Sequence, residues 1–342
     1  MSFTQIRKLP SSEEVKLSEP FSDRLKLIKT ERDNQIRSVF ENKDNRILLI
    51  IGPCSAHDEN AVCDYVSRLS SLQEKVKEKI ILIPRIYTNK PRTTGQGYKG
   101  MAHQPDPHKS PNIAEGIRAI RRMHIRAIAE SGLTAADEML YPDMYPYLDD
   151  VISYVAVGAR SVENQSHRLT SSGFDIPVGM KNPTGGDMKV ALNSIMAAQS
   201  PHVFSYNGWE VKTDGNPCAH LILRGAIDPY GRTIPNYHHE DLISIADEYL
   251  GRKLVNPAIL IDSNHDNSGR RYKEQHRICM EVLRSRKYAP QLNTIVKGFL
   301  IESFIEEGNQ KSDANIYGKS ITDPCIGWDD SVVLVNDIAE NC

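Results

Sequence analysis

The sequence predicts an α/β protein built as a (β/α)8 TIM barrel, with an N-terminal extension and an extra β-hairpin. Eight short apolar segments recur along the chain, and each has the length and composition of a buried strand. An acid, a cation or a potential metal ligand stands at or near the C-terminal end of each segment. In such a barrel these ends meet at one face, where active sites are built. The pattern therefore predicts both a fold and the place of its site.

The eight segments begin at Ile47 and continue to the last fifth of the chain. The residues at their ends are, in order, Cys54, Arg85, Glu138, Arg160, Lys181, Arg224, His265 and Glu302. The intervals from Glu138 to Arg160 and from Arg160 to Lys181, 22 and 21 positions, suit a strand–helix unit, but the next one, from Lys181 to Arg224, is 43 positions, about twice as long. Alternating residues around Asn207-Gly208 predict a β-hairpin over about residues 202–213, ahead of the sixth strand, which carries Arg224, and therefore also ahead of strand seven.

The chain divides into an extension, residues 1–46, and a catalytic barrel, residues 47–342. We expect the extension to supply a helix and oligomer contacts, with Ser22 as the N-cap of a helix that runs to about Asn42. A long Gly-, Pro- and Lys-rich loop follows the second strand, and loops of that length are commonly functional. After it, Ser110-Pro111 predicts a helix start and Gly132 its end.

Composition excludes several classes of protein. The chain is 39% hydrophobic and 25% charged, with a net charge of −2, so we expect a folded core and no nucleic-acid partner. No apolar run is long enough to span a bilayer, and the N-terminus lacks the apolar core of a signal peptide, so we expect no membrane partner. The six cysteines are too sparse and irregular for a secreted disulfide framework, which favours a reducing cytoplasm.

One group of strand-end residues has the chemistry of metal ligands. Cys54, His265 and Glu302 end the first, seventh and eighth strands, and Asp323 follows the last strand closely enough to join them. A thiolate, an imidazole and carboxylates together suit a divalent Mn, Fe, Co or Zn ion without selecting among them. Each residue alone has an ordinary structural explanation, as a small buried cysteine or a solvated carboxylate. A metal site is favoured because all four are expected at the same face of the barrel.

A second group is cationic and predicts an anion site. Its members are Arg85, Lys90, Arg92, Arg160, Lys181 and Arg224. Most basic residues near strand ends cap carbonyls or lie in solvent. However, Arg160 and Arg224 directly follow apolar runs, buried cations need partners, and the sequence places few acids beside them. We therefore expect substrate phosphate or carboxylate to be the missing partner, since Arg binds both through two hydrogen bonds.

Eight ordered motifs closely resemble those of the class I 3-deoxy-D-arabino-heptulosonate-7-phosphate (DAHP) synthases of the microbial type, whose members include Phe-, Tyr- and Trp-sensitive enzymes. They are GPCSAHD, KPRTTGQGYKG, VGARSVENQSHR, PVGMKNPTGG, LILRG, DSNHDNS, IESFIEEGNQ and YGKSITDPCIGW. The resemblance extends over nearly the whole chain. It implies an enzyme that condenses phosphoenolpyruvate with D-erythrose 4-phosphate and water to give DAHP and phosphate, the first step of the shikimate pathway of aromatic amino acid biosynthesis.

The resemblance also implies residue roles. Cys54, His265, Glu302 and Asp323 match the ligands of a divalent ion, for which Mn is expected to serve in vitro. The residues that match the phosphoenolpyruvate site are Arg85, Lys90, Glu138, Arg160, Lys181 and Arg224. Arg92 and Thr93 match the clamp on the phosphate of erythrose 4-phosphate. Lys90, Arg85 and Lys181 are the expected catalytic residues, with Lys90 placed to protonate the new alkoxide. A homodimer or homotetramer is expected.

The resemblance leaves alternatives. Lys90-Pro91-Arg92-Thr93 disfavours two related groups of enzymes in the same superfamily. One is the 3-deoxy-octulosonate 8-phosphate synthases, which have KANRS at that place, and the other is the sialic acid branch. A non-catalytic sensing barrel should have lost a ligand or an anion-site cation, and none is lost. The resemblance is weaker where feedback-inhibited members of the family bind an aromatic amino acid, the effector site. There the hairpin is shorter, Asp175 and Tyr206 replace small serines, and MSFTQI lacks an acidic pair. We therefore expect weak or absent inhibition by Phe, with Tyr or Trp as replacement effectors.

Overall fold

A computed structural model describes residues 2–92 and 94–342 of the chain. The strands are β1 (Ile47–Gly52), β2 (Ile80–Pro84), β3 (Ala135–Glu138), β4 (Ile152–Val157), β5 (Val178–Lys181), β6 (His202–Tyr206), β7 (Trp209–Thr213), β8 (Ala219–Leu223), β9 (Ala226–Ile227), β10 (Thr233–Ile234), β11 (Ile259–Asp262) and β12 (Val296–Glu302). The α-helices are α1 (Ser12–Ser18), α2 (Asp23–Phe40), α3 (Glu59–Val76), α4 (Ile113–Ser131), α5 (Gln165–Ser171), α6 (Met188–Gln199), α7 (His239–Gly251), α8 (Gln275–Tyr288), α9 (Pro290–Ile295) and α10 (Trp328–Asn341).

Eight of the strands form one parallel sheet in the order β2-β1-β12-β11-β8-β5-β4-β3. A parallel bridge between Arg85 and Ala136, with a 2.9 Å hydrogen bond from the Ile86 amide to the Ala136 carbonyl, joins the two ends of that order. The sheet therefore closes on itself and confirms the (β/α)8 barrel. Every residue of the eight strands is buried, as expected for parallel strands covered by helices.

The core has two layers, because successive side chains of a strand point to opposite faces of the sheet. Leu49 and Ile51 of β1 pack outward with residues of the surrounding helices, whereas Leu48 and Ile50 pack inside the barrel. The inner layer also contains residues from the C-terminal half of α2, including Phe40, which is fully buried. Helix α2 thus contributes apolar side chains to the barrel interior and ties the extension to the barrel.

Several local predictions are confirmed and others are wrong. The hairpin β6–β7 forms around Asn207-Gly208, both with positive φ (49° and 83°), and lies directly before the sixth barrel strand, β8. Helix α4 ends at Gly132 as predicted, but its N-cap is Asn112 rather than Ser110, because the Asn112 side chain accepts the Glu115 amide.

The extension contains one helix that the apolar pattern missed. Helix α1 begins after Ser11, whose hydroxyl accepts the Glu14 amide while the Glu14 carboxylate accepts the Ser11 amide. This reciprocal pair is a capping box, a signal that is legible in the sequence. Ser22 precedes α2 as predicted, although its side chain makes no capping bond, and α2 ends at Phe40, short of Asn42. Among the described helices, none is both long and apolar enough to cross a membrane.

Candidate active site

The predicted site residues come together at the C-terminal ends of the barrel strands, around a cavity of about 300 Å³. The predicted residues that line it are Arg85, Lys90, Arg92, Glu138, Arg160, Lys181, Arg224, His265 and Asp323. Cys54 and Glu302 are buried beneath the cavity lining, where Cys54 contacts Lys90 and Glu302 contacts Arg85. Thr93 lies outside the described residues. Convergence at this face follows from the parallel order of the strands.

Three of the four predicted metal ligands form a compact group. The candidate ligand atoms of Cys54, Glu302 and Asp323 all lie within 4.8 Å of one another, and the Cys54 Sγ–Asp323 Oδ2 distance is 3.5 Å. Oε1 of Glu302 is buried and lies 3.0 Å from Nη2 of Arg85, without the geometry of a hydrogen bond. A thiol and two carboxylates this close together fit a divalent transition ion, since such an ion could bind all three.

His265 lines the same cavity but stands outside that compact group. Its Nδ1 lies 2.7 Å from Oδ2 of Asp262, and its backbone has φ of +35°, an uncommon value for a residue other than glycine. A carboxylate beside Nδ1 leaves Nε2 as the ring nitrogen for a metal, as is usual for metal-binding histidines. His265 thus lines the same cavity as Asp323, and Asp262 contacts one of its two ring nitrogens.

Lys90 connects the possible metal site to the cation-lined cavity. Its Nζ donates to Sγ of Cys54 at 3.1 Å and also to the Cys54 carbonyl. Burial, followed by the negative charge of Glu302, raises the pKa of the Cys54 thiol, while the nearby Lys90 ammonium opposes that rise. A bound cation would reverse the balance and favour the thiolate, which is the form that ligates metals.

Three of the strand-end cations have buried acidic partners that were not identified from the sequence. Arg85 lies 3.0 Å from Glu302, Lys181 lies 3.3 Å from Asp262, and Arg224 lies 2.5 Å from Asp266. All six of these residues are buried. The pairs form because β11, β12 and the segment after β11 bring carboxylates from distant parts of the sequence to the same face.

Electrostatics keeps these buried pairs ionised. Burial alone would raise the pKa of Glu302, but the Arg85 charge and then the neighbouring His265 lower it to about 2. Burial would likewise raise the pKa of Asp262, which His265 and Lys181 hold well below its usual value. Burial opposes the charged form of Arg85, yet the Glu302 carboxylate raises its pKa overall. The cavity floor is therefore a preformed array of charges.

Arg160 differs from the other cations. It was expected to be buried because it follows an apolar run, but its side chain is exposed at the mouth of the cavity. The reason is that β4 ends at Val157, so Gly158 and Ala159 carry the chain out of the barrel before Arg160. A Cβ at Gly158 would lie 2.5 Å from Oε1 of Glu138, so a larger residue there would displace the Glu138 carboxylate.

Sequence reasoning missed two buried carboxylates and one arginine. Asp262 and Asp266 contact Lys181 and Arg224, and Arg270 lines the cavity on the same side. The sequence did contain a signal for the two aspartates, because both lie close to the predicted ligand His265 in DSNHD. Their partners could not be identified from the sequence, since each contact joins residues that are far apart along the chain.

The second-strand loop holds Arg92 beside the cavity. Nε of Arg92 donates to the Tyr98 carbonyl at 2.8 Å, and its guanidinium lies against Gly97, which has φ of +85°. The two terminal nitrogens of the guanidinium are the groups that a phosphate would accept from. Arg92 is half-buried, so the loop fixes the stem of this side chain while its charged end remains accessible.

The comparisons with known proteins identify the family. The sequence model of the DAHP synthetase I family matches residues 25–336. The chain belongs to this family. The Phe-sensitive phospho-2-dehydro-3-deoxyheptonate aldolase of Escherichia coli K12 is 38% identical over 312 residues, which cover 89% of this chain and 86% of that protein. The Trp-sensitive enzyme of the same organism is 33% identical and covers 98% and 95%.

Structural comparison agrees with this assignment. The phospho-2-dehydro-3-deoxyheptonate aldolase of Francisella tularensis SCHU S4 superposes with a TM-score of 0.91 at 29% identity, over 99% of this chain and 98% of that one. The family is one of metalloenzymes that use phosphoenolpyruvate and erythrose 4-phosphate, and this chain has a possible metal site formed by Cys54, Glu302 and Asp323.

Proposed function

We propose that this chain condenses phosphoenolpyruvate with D-erythrose 4-phosphate and water to give DAHP and phosphate, the first step of the shikimate pathway. Family membership supports this reaction. The main observation in its support is the position of Lys90. Its ammonium is 3.1 Å from Sγ of Cys54 in the possible metal site, and Lys90 also lines the cationic cavity. A proton donor thus lies between a site for an aldehyde and a site for an anion.

We assign Cys54, His265, Glu302 and Asp323 as the residues that hold a divalent ion. The donor set suits Mn, Fe, Co or Zn, and Mn is our choice for activity in vitro. When bound, the ion supplies Lewis acidity that polarises the aldehyde of erythrose 4-phosphate. The close approach of the Cys54, Glu302 and Asp323 ligand atoms, all within 4.8 Å of one another, supports this assignment.

The cations are assigned to phosphoenolpyruvate. Arg85, Arg160, Lys181 and Arg224 neutralise its phosphate and carboxylate, with Glu138 alongside. Carbon 3 then attacks the aldehyde carbon and forms the new carbon–carbon bond, which leaves carbon 2 electron-deficient. Water adds at carbon 2, and phosphate departs as the bond between carbon 2 and the bridging oxygen breaks. Fixing two anionic substrates in attacking register supplies much of the rate enhancement.

Lys90 is assigned as the proton donor to the alkoxide that forms from the aldehyde oxygen. Nζ of Lys90 is 3.1 Å from Sγ of Cys54, so this ammonium would be close to an aldehyde bound beside the ion and could supply the proton. Arg92, together with Thr93, is assigned to the phosphate of erythrose 4-phosphate. The position of Arg92 in the second-strand loop, apart from the strand-end cations, supports a separate clamp for the second substrate.

A substrate-selection assay tests the proposed function. Loss of phosphoenolpyruvate absorbance is followed with erythrose 4-phosphate and, in parallel, with arabinose 5-phosphate. We expect rapid loss with the four-carbon aldose and at least a hundredfold lower kcat/KM with the five-carbon one. Preference for arabinose 5-phosphate would indicate the octulosonate branch. Binding of phosphoenolpyruvate without consumption with either aldose would indicate a non-catalytic sensing barrel. Either result contradicts the proposal.

We also propose a cytoplasmic homo-oligomer, a dimer or a tetramer. Six unpaired cysteines, five of them buried, suit a reducing compartment. Exposed apolar side chains on the extension and the hairpin, such as Phe3, Leu17 and Trp209, suit contacts between copies. Light scattering coupled to gel filtration should give two or four chains per particle, and a monomer at micromolar concentration would contradict the oligomer.

A further inference from the structure

A second cavity, of about 460 Å³, lies at the opposite end of the barrel from the candidate active site. It opens where β1, β2 and β12 begin, beside α8 and α9. Its lining residues are Asp44, Asn45, Arg46, Glu78, Lys79, Arg286, Asn293, Lys297 and Cys342. It shares no residue with the cavity at the C-terminal face, so it is a separate candidate site.

Two of its cations are buried with no carboxylate in contact among the described residues. Arg286 is 9% exposed and Lys297 is 6% exposed. Within residues 2–92 and 94–342, no carboxylate lies within 4.0 Å of either side chain. Their contacts are with neutral acceptors: Nη2 of Arg286 donates to the Asn293 carbonyl at 3.2 Å, and Nζ of Lys297 donates to Oδ1 of Asn42 at 2.6 Å. Nε of Arg286 is buried and has no hydrogen-bond partner there.

The other charges of the lining offset one another. Arg46 and Asp44 form an ion pair at 2.6 Å, and Lys79 and Glu78 are both exposed. The side chains of Asp44, Arg46, Glu78, Lys79, Arg286 and Lys297 sum to a net charge of +2. Burial, and then the Arg286 charge, lowers the pKa of Lys297 to about 8, and burial lowers the pKa of Arg286 although the charge of Cys342 opposes it.

We propose that this cavity is an anion site that takes a small tetrahedral oxyanion, either free phosphate or the phosphate group of a monoester, between Arg286 and Lys297. A buried charge is expensive unless an opposite charge accompanies it. The free Nε–H of Arg286 supplies one donor of the paired geometry in which guanidinium groups bind phosphate, and the Lys297 ammonium supplies a second charge. A cavity of 460 Å³ has room for the rest of a small monoester. This site goes beyond the proposed function and does not depend on it.

Isothermal titration of the full-length protein tests the site, with inorganic phosphate and glycerol 3-phosphate as separate probes at constant ionic strength. Phosphate bound at the candidate active site is common to every protein compared, so differences between variants report on this cavity alone. We expect Arg286→Gln to bind phosphate at least about tenfold more weakly than the wild type, because a charge-assisted pair of hydrogen bonds is lost. Arg284→Gln is the matched control, since Arg284 is exposed on the same helix and carries the same charge.

Two further variants keep the test decisive. Lys297→Met should also weaken binding at least about tenfold, and Arg286→Lys should retain part of the affinity because the charge remains. Because each neutral substitution removes an uncompensated buried charge, neither should lower the Tm in chloride buffer. Tighter binding of glycerol 3-phosphate than of phosphate identifies a monoester as the ligand, and the reverse identifies the free ion. Equal phosphate affinity in Arg286→Gln and Arg284→Gln overturns the proposal, as does no binding in the wild type.

Discussion

Glu302→Gln is the substitution whose energetic consequence follows most directly from the structure. It preserves the shape of a buried side chain and removes the negative charge that lies 3.0 Å from Arg85. With an effective dielectric constant of about 20, Coulomb's law gives about 5 kcal/mol for unit charges at that distance. Loss of one partner of a buried pair costs about 3–5 kcal/mol, because the other charge remains buried. We therefore expect the free energy of unfolding to fall by about 3–5 kcal/mol.

Urea unfolding of the metal-free protein, in EDTA with a thiol reductant, measures this change without a contribution from metal binding. Glu307→Gln is the matched control. Glu307 lies 3.1 Å from Lys273, but both side chains are at least half exposed, so we expect a change below about 1 kcal/mol. A double variant, Arg85→Met with Glu302→Gln, should recover part of the lost stability because it removes the unpaired cation. If Glu302→Gln is as stable as Glu307→Gln, the buried pair does not stabilise the barrel.

The same pair predicts the direction of a pH effect. The pKa of Glu302 is about 2 in the folded protein and about 4.5 when unperturbed. A carboxyl whose pKa is depressed by folding stabilises the protein above its unfolded pKa, and that stabilisation is lost as the pH falls through the folded value. The metal-free wild type should therefore lose stability between about pH 4.5 and pH 2. Glu302→Gln should lose less over the same interval, and identical losses would contradict the assignment.

Three further predictions concern the substrates, oxidation and control. Arg92→Ala should raise the KM for erythrose 4-phosphate at least about tenfold and change that for phosphoenolpyruvate by less than about threefold in steady-state assays; equal effects would exclude separate clamps. The Cys54 amide lies 3.4 Å from Sγ of Cys325, so molecular oxygen should oxidise the two thiols of metal-free protein to a disulfide. Thiol titration should show two thiols lost, and an unchanged inactivation rate in Cys325→Ser would refute this. Tyr206 donates to the Pro142 carbonyl at 2.8 Å. We expect a tyrosine at this position to occupy the space that an aromatic effector needs, so Phe should inhibit weakly or not at all. Micromolar inhibition by Phe would contradict this, and curves with Tyr and Trp would show whether either replaces it.

The fold was predictable because its signal is local and repeated. Each barrel strand is a short apolar run, and Arg85, Lys181 and Glu302 lie at or next to the C-terminal ends of β2, β5 and β12. Parallel order then places these ends at one face without further information. The turn at Asn207-Gly208 was equally local, since the dipeptide itself favours the positive φ values that the structure has.

Other features depended on contacts between distant residues and escaped prediction. Asp262 and Asp266 were not expected to pair with Lys181 and Arg224, because those contacts exist only after β5, β8 and β11 assemble. The exposure of Arg160 depends on where β4 ends, and strand ends are the least certain part of any sequence-based assignment. The N-cap at Asn112 was missed because Ser110-Pro111 is an equally good local signal.

The central claim is that a metal site anchored by Cys54 and a cationic cavity act together at one barrel mouth. DAHP formation by protein depleted of metal with EDTA, before and after addition of Mn²⁺, tests it most directly. We predict that activity disappears on depletion and returns in the wild type and in Cys63→Ala, a control at a buried thiol on α3 outside the site. Cys54→Ala should remain folded and nearly inactive with or without Mn²⁺. Full activity of metal-free Cys54→Ala would contradict the account.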